Sequence, residues 1–141
     1  KYPMKVKKSI QPKYRVAVGL IWKNKKLLIA KRPSYKLLGD LWEFPGGKIK
    51  ETESPEECLV REANEELDII IKIDSFIKTI SHSYSHFSII MDAFHCTFVS
   101  GVSKNIQCKD HKWILPSEIK NFPFPSASHK LFDATNRYPK A

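Results

Sequence analysis

The sequence has no apolar run approaching the roughly 20 residues that a membrane span requires, and its start lacks the apolar stretch of a signal peptide. Its three cysteines include no CxxC pair and no cysteine–histidine cluster at zinc-binding spacing. Internal repeats and low-complexity segments are missing as well. These absences exclude a disulfide scaffold and a zinc finger, and they predict a cytoplasmic protein with no membrane partner. The chain opens on Lys1 instead of methionine, so we expect a fragment of a longer protein or a trimmed one.

The first thirteen residues lack acidic side chains altogether. They contain five lysines and two prolines, which predicts an extended basic arm (residues 1–13) ahead of a domain at residues 14–141. Four of these lysines are candidates for contacts with a polyanion: Lys5, Lys7, Lys8 and Lys13.

What is present is the sequence of one globular domain. Its 141 residues are 42% hydrophobic and 28% charged, with a net charge of +9. The charge is uneven, because residues 51–68 carry −7 and the rest of the chain +16. Two interpretations stay open: the protein handles a polyanionic partner through bound cations, or it is a lysine-rich protein with one solvated acidic helix.

The local patterns predict a mixed α+β protein, an α/β/α sandwich with a mixed sheet between helices. The clearest helix follows Ser54, which is placed to cap it, with Pro55 at its first position and Glu57 completing a capping box. We expect a loop at residues 33–40 and an interruption of secondary structure at residues 45–47. The other predicted elements are a hairpin at 14–32, strands at 69–80, 86–99 and 111–115, a helical turn from 116 and a last helix from 126 to about 137.

Three glutamates of the predicted helix share one face. Glu62, Glu65 and Glu66 fall within a sector of roughly 100°, where like charges repel one another. Such a carboxylate face is stable when a cation neutralises it, and Mg²⁺ or Mn²⁺ prefers oxygen ligands of this kind. The sequence therefore offers a divalent-metal site, with a solvated helix face as the alternative.

Residues on either side of the helix start can complete that site. Glu53 precedes the cap in a loop able to fold back over the helix, and Gly46 and Gly47 permit a close backbone approach, so a glycine carbonyl can join the metal ligands. Arg61 flanks the carboxylate face and can orient a glutamate through a bidentate hydrogen bond.

These residues together resemble the Nudix box, G-x5-E-x7-R-E-U-x-E-E-x-G-U, over residues 47–69. The spacing and all five charged positions are kept, Ala63 is a small version of the first apolar position, and Asp68 replaces the last glycine. Aspartate tolerates a left-handed backbone better than most residues, so Asp68 can still end the helix.

The resemblance implies the Nudix fold, with the box as a loop–helix–loop. It also implies an activity that uses Mg²⁺ and a water nucleophile to cleave a nucleoside diphosphate that is linked to another group. It implies Glu62, Glu65 and Glu66 as metal ligands, assisted by the Gly46 carbonyl, and Arg61 as an orienting residue. Glu53, Glu62 and Glu65 are the catalytic candidates, with Glu53 or Glu62 orienting water or acting as general base. A box that has outlived its activity is the alternative.

The chain also resembles the C-terminal domain of A/G-specific adenine glycosylase beyond the box. The segments that carry this resemblance are LLGDLWEFPGGK at 37–48, HSYSHF at 82–87 and FPFPSA at 122–127 followed by Lys130. It implies recognition of 8-oxoguanine in duplex DNA, together with an upstream glycosylase catalytic domain that this sequence does not contain. The residues it implies for base or nucleic-acid contact are Tyr84, Ser85, His86, Phe124 and Ser126.

The main hypothesis is therefore a Nudix domain of oxidised-guanine DNA repair. A stand-alone hydrolase similar to MutT, which cleaves oxidised or ordinary nucleoside triphosphates to a monophosphate and pyrophosphate, is the alternative, and a silent scaffold is a third. Ala127 and Ser128 stand where MutT-type enzymes place the asparagine that reads the oxidised purine.

Overall fold

A computed structural model describes residues 11–137 of the chain, and in that range seven strands form one mixed sheet. The strands pair in the order β3-β2-β1-β6-β5, with β4 added to β1 and β7 to β2; β1 and β6 are parallel and the other pairs are antiparallel. The strands are β1 Lys13–Lys23, β2 Lys26–Lys31, β3 Trp42–Glu43, β4 Gly46–Lys48, β5 Ile70–Ser83, β6 Ser88–Ser100 and β7 Asp110–Ile114. The helices are α1 Pro55–Leu67, α2 Ser126–His129 and the 3₁₀ segments Pro116–Asn121 and Phe132–Asn136. No helix within residues 11–137 is long and apolar enough to cross a membrane.

The predicted hairpin is confirmed. Trp22 faces Leu27 across its two strands, and the turn residues Asn24 and Lys25 both have positive φ, 50° and 65°. Two such residues make the tight turn whose twist matches that of a hairpin.

The sheet lies between two apolar layers, which confirms the predicted sandwich. Side chains alternate along β1, so that Leu20 and Trp22 point to one layer and Ala17 and Ile21 to the other. Helix α1 covers the second layer through its buried residues Cys58, Leu59, Ala63 and Leu67. The C-terminal segment covers the first layer through Ile119, Phe124, Ala127, Leu131 and Ala134.

Helix α1 begins and ends as predicted. The Ser54 hydroxyl accepts a hydrogen bond from the Glu57 N–H (3.1 Å), and the Glu57 carboxylate accepts one from the Ser54 N–H (2.8 Å), which together form the capping box. The helix ends at Asp68, whose φ of 60° and ψ of 39° are left-handed.

Replacing Asp68 with glycine should stabilise the fold. Glycine adopts the left-handed conformation without the steric cost of a Cβ, and the exposed Lys104–Asp68 ion pair that is lost, at 3.6 Å, contributes little. We expect Asp68→Gly to raise the free energy of unfolding by about 0.5–1 kcal/mol in a denaturant titration, and Asp68→Ala to lower it. A glycine variant less stable than the alanine variant would contradict this account of the helix end.

Two predicted local features differ from the structure. Gly46 and Gly47 lie in strand β4 instead of interrupting the secondary structure. A glycine at 46 lets the backbone approach Ala17 of β1 more closely than a Cβ would allow. The last helix is interrupted after His129, and Phe132 packs edge-on against Phe44 and Phe124 in the core.

Residues predicted as the basic arm fall at the edge of the described range. Lys13 is the first residue of β1 and pairs with Ser88 of β6. Lys5, Lys7 and Lys8 lie outside the described residues.

Candidate active site

A cavity of about 380 Å³ opens between α1, strands β1 and β4, and the C-terminal segment. Its wall carries two chemically different sets of side chains, which we call the polar half and the apolar half. The polar half is lined by Arg32, Lys36, Glu43, Lys48, Glu62, Glu65, Glu66 and Gln107. The apolar half is lined by Tyr14, Val16, Phe44, Tyr84, Phe87, Ile89, Met91, Pro125 and Ala127.

All three glutamates of the predicted carboxylate face lie in the polar half, at different depths. The Glu65 side chain is 44% exposed, whereas that of Glu62 is 14% exposed and the Oε1 atom of Glu66 is fully buried. Burial raises the pKa of Glu66 to about 9, and repulsion from the neighbouring charges of Glu43 and Glu62 adds to this shift. Burial also raises the pKa of Glu62.

Arg61 holds Glu53 firmly and touches the other box glutamates. It donates from Nη2 and Nε to both carboxylate oxygens of Glu53 (2.6 and 3.0 Å), and from Nη1 to Glu65 (3.1 Å); Nη1 also lies 3.4 Å from Glu62. The Lys50 N–H donates a further hydrogen bond to Glu53 (2.9 Å). These bonds, that of Arg61 above all, lower the pKa of Glu53 to about 2. Glu53 is absent from the cavity wall.

The donor set fits a divalent metal ion. Glu66 Oε1 is a buried carboxylate oxygen with no hydrogen-bond partner, which is costly unless a cation neutralises it. Within residues 11–137 no three His, Cys, Asp or Glu side chains already form a metal-binding group, because Glu62 and Glu65 turn toward Arg61. The residues that would hold the metal are Glu62, Glu65 and Glu66, beside the backbone of Gly46 in the same wall.

Four charged residues of the polar half are not among the site residues predicted from the sequence: Arg32, Lys36, Glu43 and Lys48. Arg32 donates from Nη1 to Glu43 (2.9 Å) and from Nε to the carbonyl of Leu37 (2.7 Å), and Lys36 lies in the same wall. The one available signal for Glu43 is an acidic residue inside the apolar run LWEF. Burial raises the pKa of Glu43, and Arg32 opposes that shift.

Of the residues expected to contact a base, Tyr84 is the one in the cavity wall. Its hydroxyl accepts a hydrogen bond from the Ala127 N–H (3.0 Å) and its ring stacks on Phe87, with centroids 4.9 Å apart. The other four lie elsewhere: Ser85 and His86 are exposed in the β5–β6 turn, Phe124 is buried in the core against Phe44, and Ser126 is exposed at the start of α2. Ser128, which stands with Ala127 where MutT-type enzymes place the base-reading asparagine, is buried in the cavity wall.

Gly47 should be essential for the position of Glu62. A Cβ at residue 47 would overlap the Glu62 carboxylate, whose side chain can move aside because it is flexible. We therefore expect Gly47→Ala to fold normally and to lower any metal-dependent activity by about 10–100-fold, the usual cost of disturbing a metal site. Circular dichroism and turnover measured on the same sample check this, and a fully active Gly47→Ala protein would contradict it.

The family model described as the NUDIX domain matches residues 17–134, so the chain belongs to the Nudix family. Over 119 residues it is 35% identical to the 8-oxo-dGTP diphosphatase of Buchnera aphidicola subsp. Schizaphis graminum, covering 84% of this chain and 90% of that protein. It is 31% identical over 122 residues to the CTP pyrophosphohydrolase of Escherichia coli K12, covering 84% and 88%.

Solved structures agree with this assignment. The solution structure of the E. coli ORF135 protein has a TM-score of 0.75 at 30% identity, covering 88% of this chain and 89% of that one. The MutT protein from Methanosarcina mazei Go1 has a TM-score of 0.80 at 21% identity, covering 90% and 95%, and supports the fold alone. The relatives named here are diphosphatases and pyrophosphohydrolases, so the particular closeness to a glycosylase domain stays a prediction.

Proposed function

We propose that this protein is a divalent-metal-dependent nucleoside triphosphate pyrophosphohydrolase, the alternative that the sequence left open. The observation that carries the proposal is that one cavity is lined both by the carboxylates of the polar half and by the aromatic rings of the apolar half. A nucleotide has the same division, with a flat apolar base at one end and a phosphate chain at the other. The named diphosphatase and pyrophosphohydrolase relatives support this reading over duplex recognition.

The polar half of the cavity supplies the residues for hydrolysis. A bound Mg²⁺ or Mn²⁺ would neutralise phosphate charge and lower the pKa of a water molecule. Glu62, Glu65 and Glu66 would hold it, and Glu62, the deeper of the two Arg61-contacting glutamates in the wall, would orient the attacking water and accept its proton. The water oxygen forms a bond to phosphorus and the bond that joins the α-phosphate to the pyrophosphate group breaks, giving a nucleoside monophosphate and pyrophosphate. Glu53 acts as a positioning residue, because its carboxylate is occupied by Arg61 and Lys50.

Two basic side chains and one hydroxyl complement the rest of the substrate. Lys36 and Arg32 lie in the polar wall, where they can balance phosphate charge that the metal leaves. At the other end, the Tyr84 hydroxyl accepts from Ala127 and keeps its own proton for a base acceptor.

The experiment is a panel of nucleoside triphosphates, including 8-oxo-dGTP, dGTP and CTP, assayed with Mg²⁺ and with Mn²⁺ at mildly alkaline pH. We expect stoichiometric release of monophosphate and pyrophosphate from at least one of them, and none after chelation of the metal. Release of orthophosphate instead, or no turnover of any member with either metal, would contradict the proposal.

Recognition of an 8-oxoguanine duplex is the second candidate, favoured by the exposed Ser85 and His86 in the β5–β6 turn and by Lys13, which pairs with Ser88 just after that turn. That surface lies outside the cavity and is open to a partner larger than a nucleotide. If the domain reads DNA, duplex binding should be salt-sensitive and should fall when Lys5, Lys7, Lys8 and Lys13 become serine. Ser85→Ala and His86→Ala should then reduce preference for the lesion. No duplex binding at low salt, with brisk nucleotide turnover, would eliminate this candidate.

A further inference from the structure

An irregular segment, residues 102–109, connects β6 to β7 and runs beside the C-terminal end of α1. Its backbone supplies hydrogen bonds to the last carbonyls of that helix, which have no donor within the helix. The Lys104 N–H donates to the Leu67 carbonyl (2.9 Å), and the Ile106 and Gln107 N–H groups both donate to the Glu66 carbonyl (3.0 and 3.2 Å). We call residues 102–109 the capping segment.

The capping segment therefore fixes the backbone of Glu66, whose Oε1 atom is buried. The Glu66 carbonyl is held by two donors while its side chain extends into the cavity, where Oε1 is buried. A shift of the segment would move Glu66, and displacements near 1 Å are enough to impair a catalytic or metal-binding group.

His111 of β7 holds the capping segment in place. Its Nδ1 lies 2.5 Å from Asn105 Oδ1 and its Nε2 lies 2.9 Å from Ser103 Oγ, so both ring nitrogens are engaged by the segment. The Trp113 Nε1–H also donates to Ser103 Oγ, at 3.4 Å. His111 itself is fixed by the sheet, where it is paired in register with Ala30 of β2.

We infer that His111 is a positioning residue for the metal site: it anchors the capping segment to the sheet, and the segment in turn sets the position of Glu66. The inference rests on the proposed function, since it assigns to Glu66 the role of metal ligand. It adds a residue that lies outside the Nudix box and outside the cavity wall.

The test compares His111→Ala with the wild-type protein in two measurements that need no substrate. In the metal-free protein, hydrogen exchange of the Ile106 and Gln107 amides should become at least about tenfold faster, while exchange at the core residue Leu20 stays unchanged. The dissociation constant for Mn²⁺ should rise about tenfold, at the lower end of the effect of residues behind metal ligands. His111→Gln, which keeps a hydrogen-bonding side chain, should restore part of the affinity.

Lys112→Ala is the matched control, because Lys112 is the exposed neighbour on the same strand, and it should leave both measurements at the wild-type value. If His111→Ala fails to fold, Asn105→Ala in the exposed capping segment replaces it with the same expected results. Mn²⁺ affinity within twofold of wild type, or faster exchange at Leu20 as well as in the segment, would overturn the inference. A wild-type protein that binds Mn²⁺ but turns over no nucleotide would refute the proposed function and leave this test intact.

Discussion

Glu62→Gln should lower the turnover number by about 10²–10⁴-fold, the range found when a group that handles the proton of a reacting water is removed. Glutamine has nearly the same shape as glutamate, so the cavity should keep its form. The side chain is only 14% exposed and lies against Gly47 and Arg61, which leaves little room for another group to take its place. Steady-state kinetics with saturating Mn²⁺ measure the effect.

Glu53→Gln is the matched control for this variant. Glu53 does not line the cavity and acts through Arg61. Its replacement should therefore lower the turnover number by about 10–100-fold, as is usual for residues that position a metal ligand. An equal loss in the two variants, or a larger one in Glu53→Gln, would assign the water-orienting role to Glu53 and contradict the account.

Glu66→Gln should make the metal-free protein more stable and abolish its stabilisation by metal. Ionising Glu66 in the folded protein would leave a charged oxygen buried without a partner, and an unsatisfied buried group of this kind costs about 1–3 kcal/mol. The folded-state pKa of about 9 lies above the ordinary value of 4.5, so the unfolded chain releases its proton first. The cost to stability therefore appears above pH 4.5, grows as the pH rises toward 9, and is absent at lower pH.

Urea unfolding at pH 8 with EDTA checks this prediction. We expect the free energy of unfolding of Glu66→Gln to exceed that of wild type by about 1–2 kcal/mol at pH 8 and to equal it near pH 4.5. Adding Mn²⁺ should stabilise wild type by mass action and leave the variant unchanged. Glu65→Gln serves as the comparison, because Glu65 is exposed and paired with Arg61; a similar gain in that variant would show that burial of Glu66 is not the cause.

Helix α1 and its carboxylates were predictable because every determinant is local. Ser54 and Glu57 form the capping box through neighbouring atoms, and helical periodicity alone brings Glu62, Glu65 and Glu66 to one face. The left-handed end at Asp68 follows from the same local chemistry.

The rest of the site depends on contacts between distant parts of the chain. Glu43 and Arg32 reach the cavity because β3 pairs with β2, with Ala30 opposite Glu43, and no sequence period encodes that pairing. Glu53 keeps the expected spacing, and its carboxylate is bound by Arg61 and does not line the cavity.

The C-terminal segment shows the same limit. Phe124, which the resemblance implied as a base contact, lies in the core, where its ring contacts Phe44 and Phe132. The last helix is interrupted after His129, and Phe132 packs against the rings of Phe44 and Phe124. The prediction of one uninterrupted helix does not include these contacts.

The division of the cavity into a base half and a metal–phosphate half is tested most directly by mapping both ligands on one amide NMR spectrum. Mn²⁺ at substoichiometric concentration should broaden the signals of Gly46, Gly47 and Glu66, and a nucleoside monophosphate added with Mg²⁺ should shift those of Tyr84 and Ala127. Broadening centred on another surface, or nucleotide shifts confined to the exposed Ser85–His86 turn, would contradict the account.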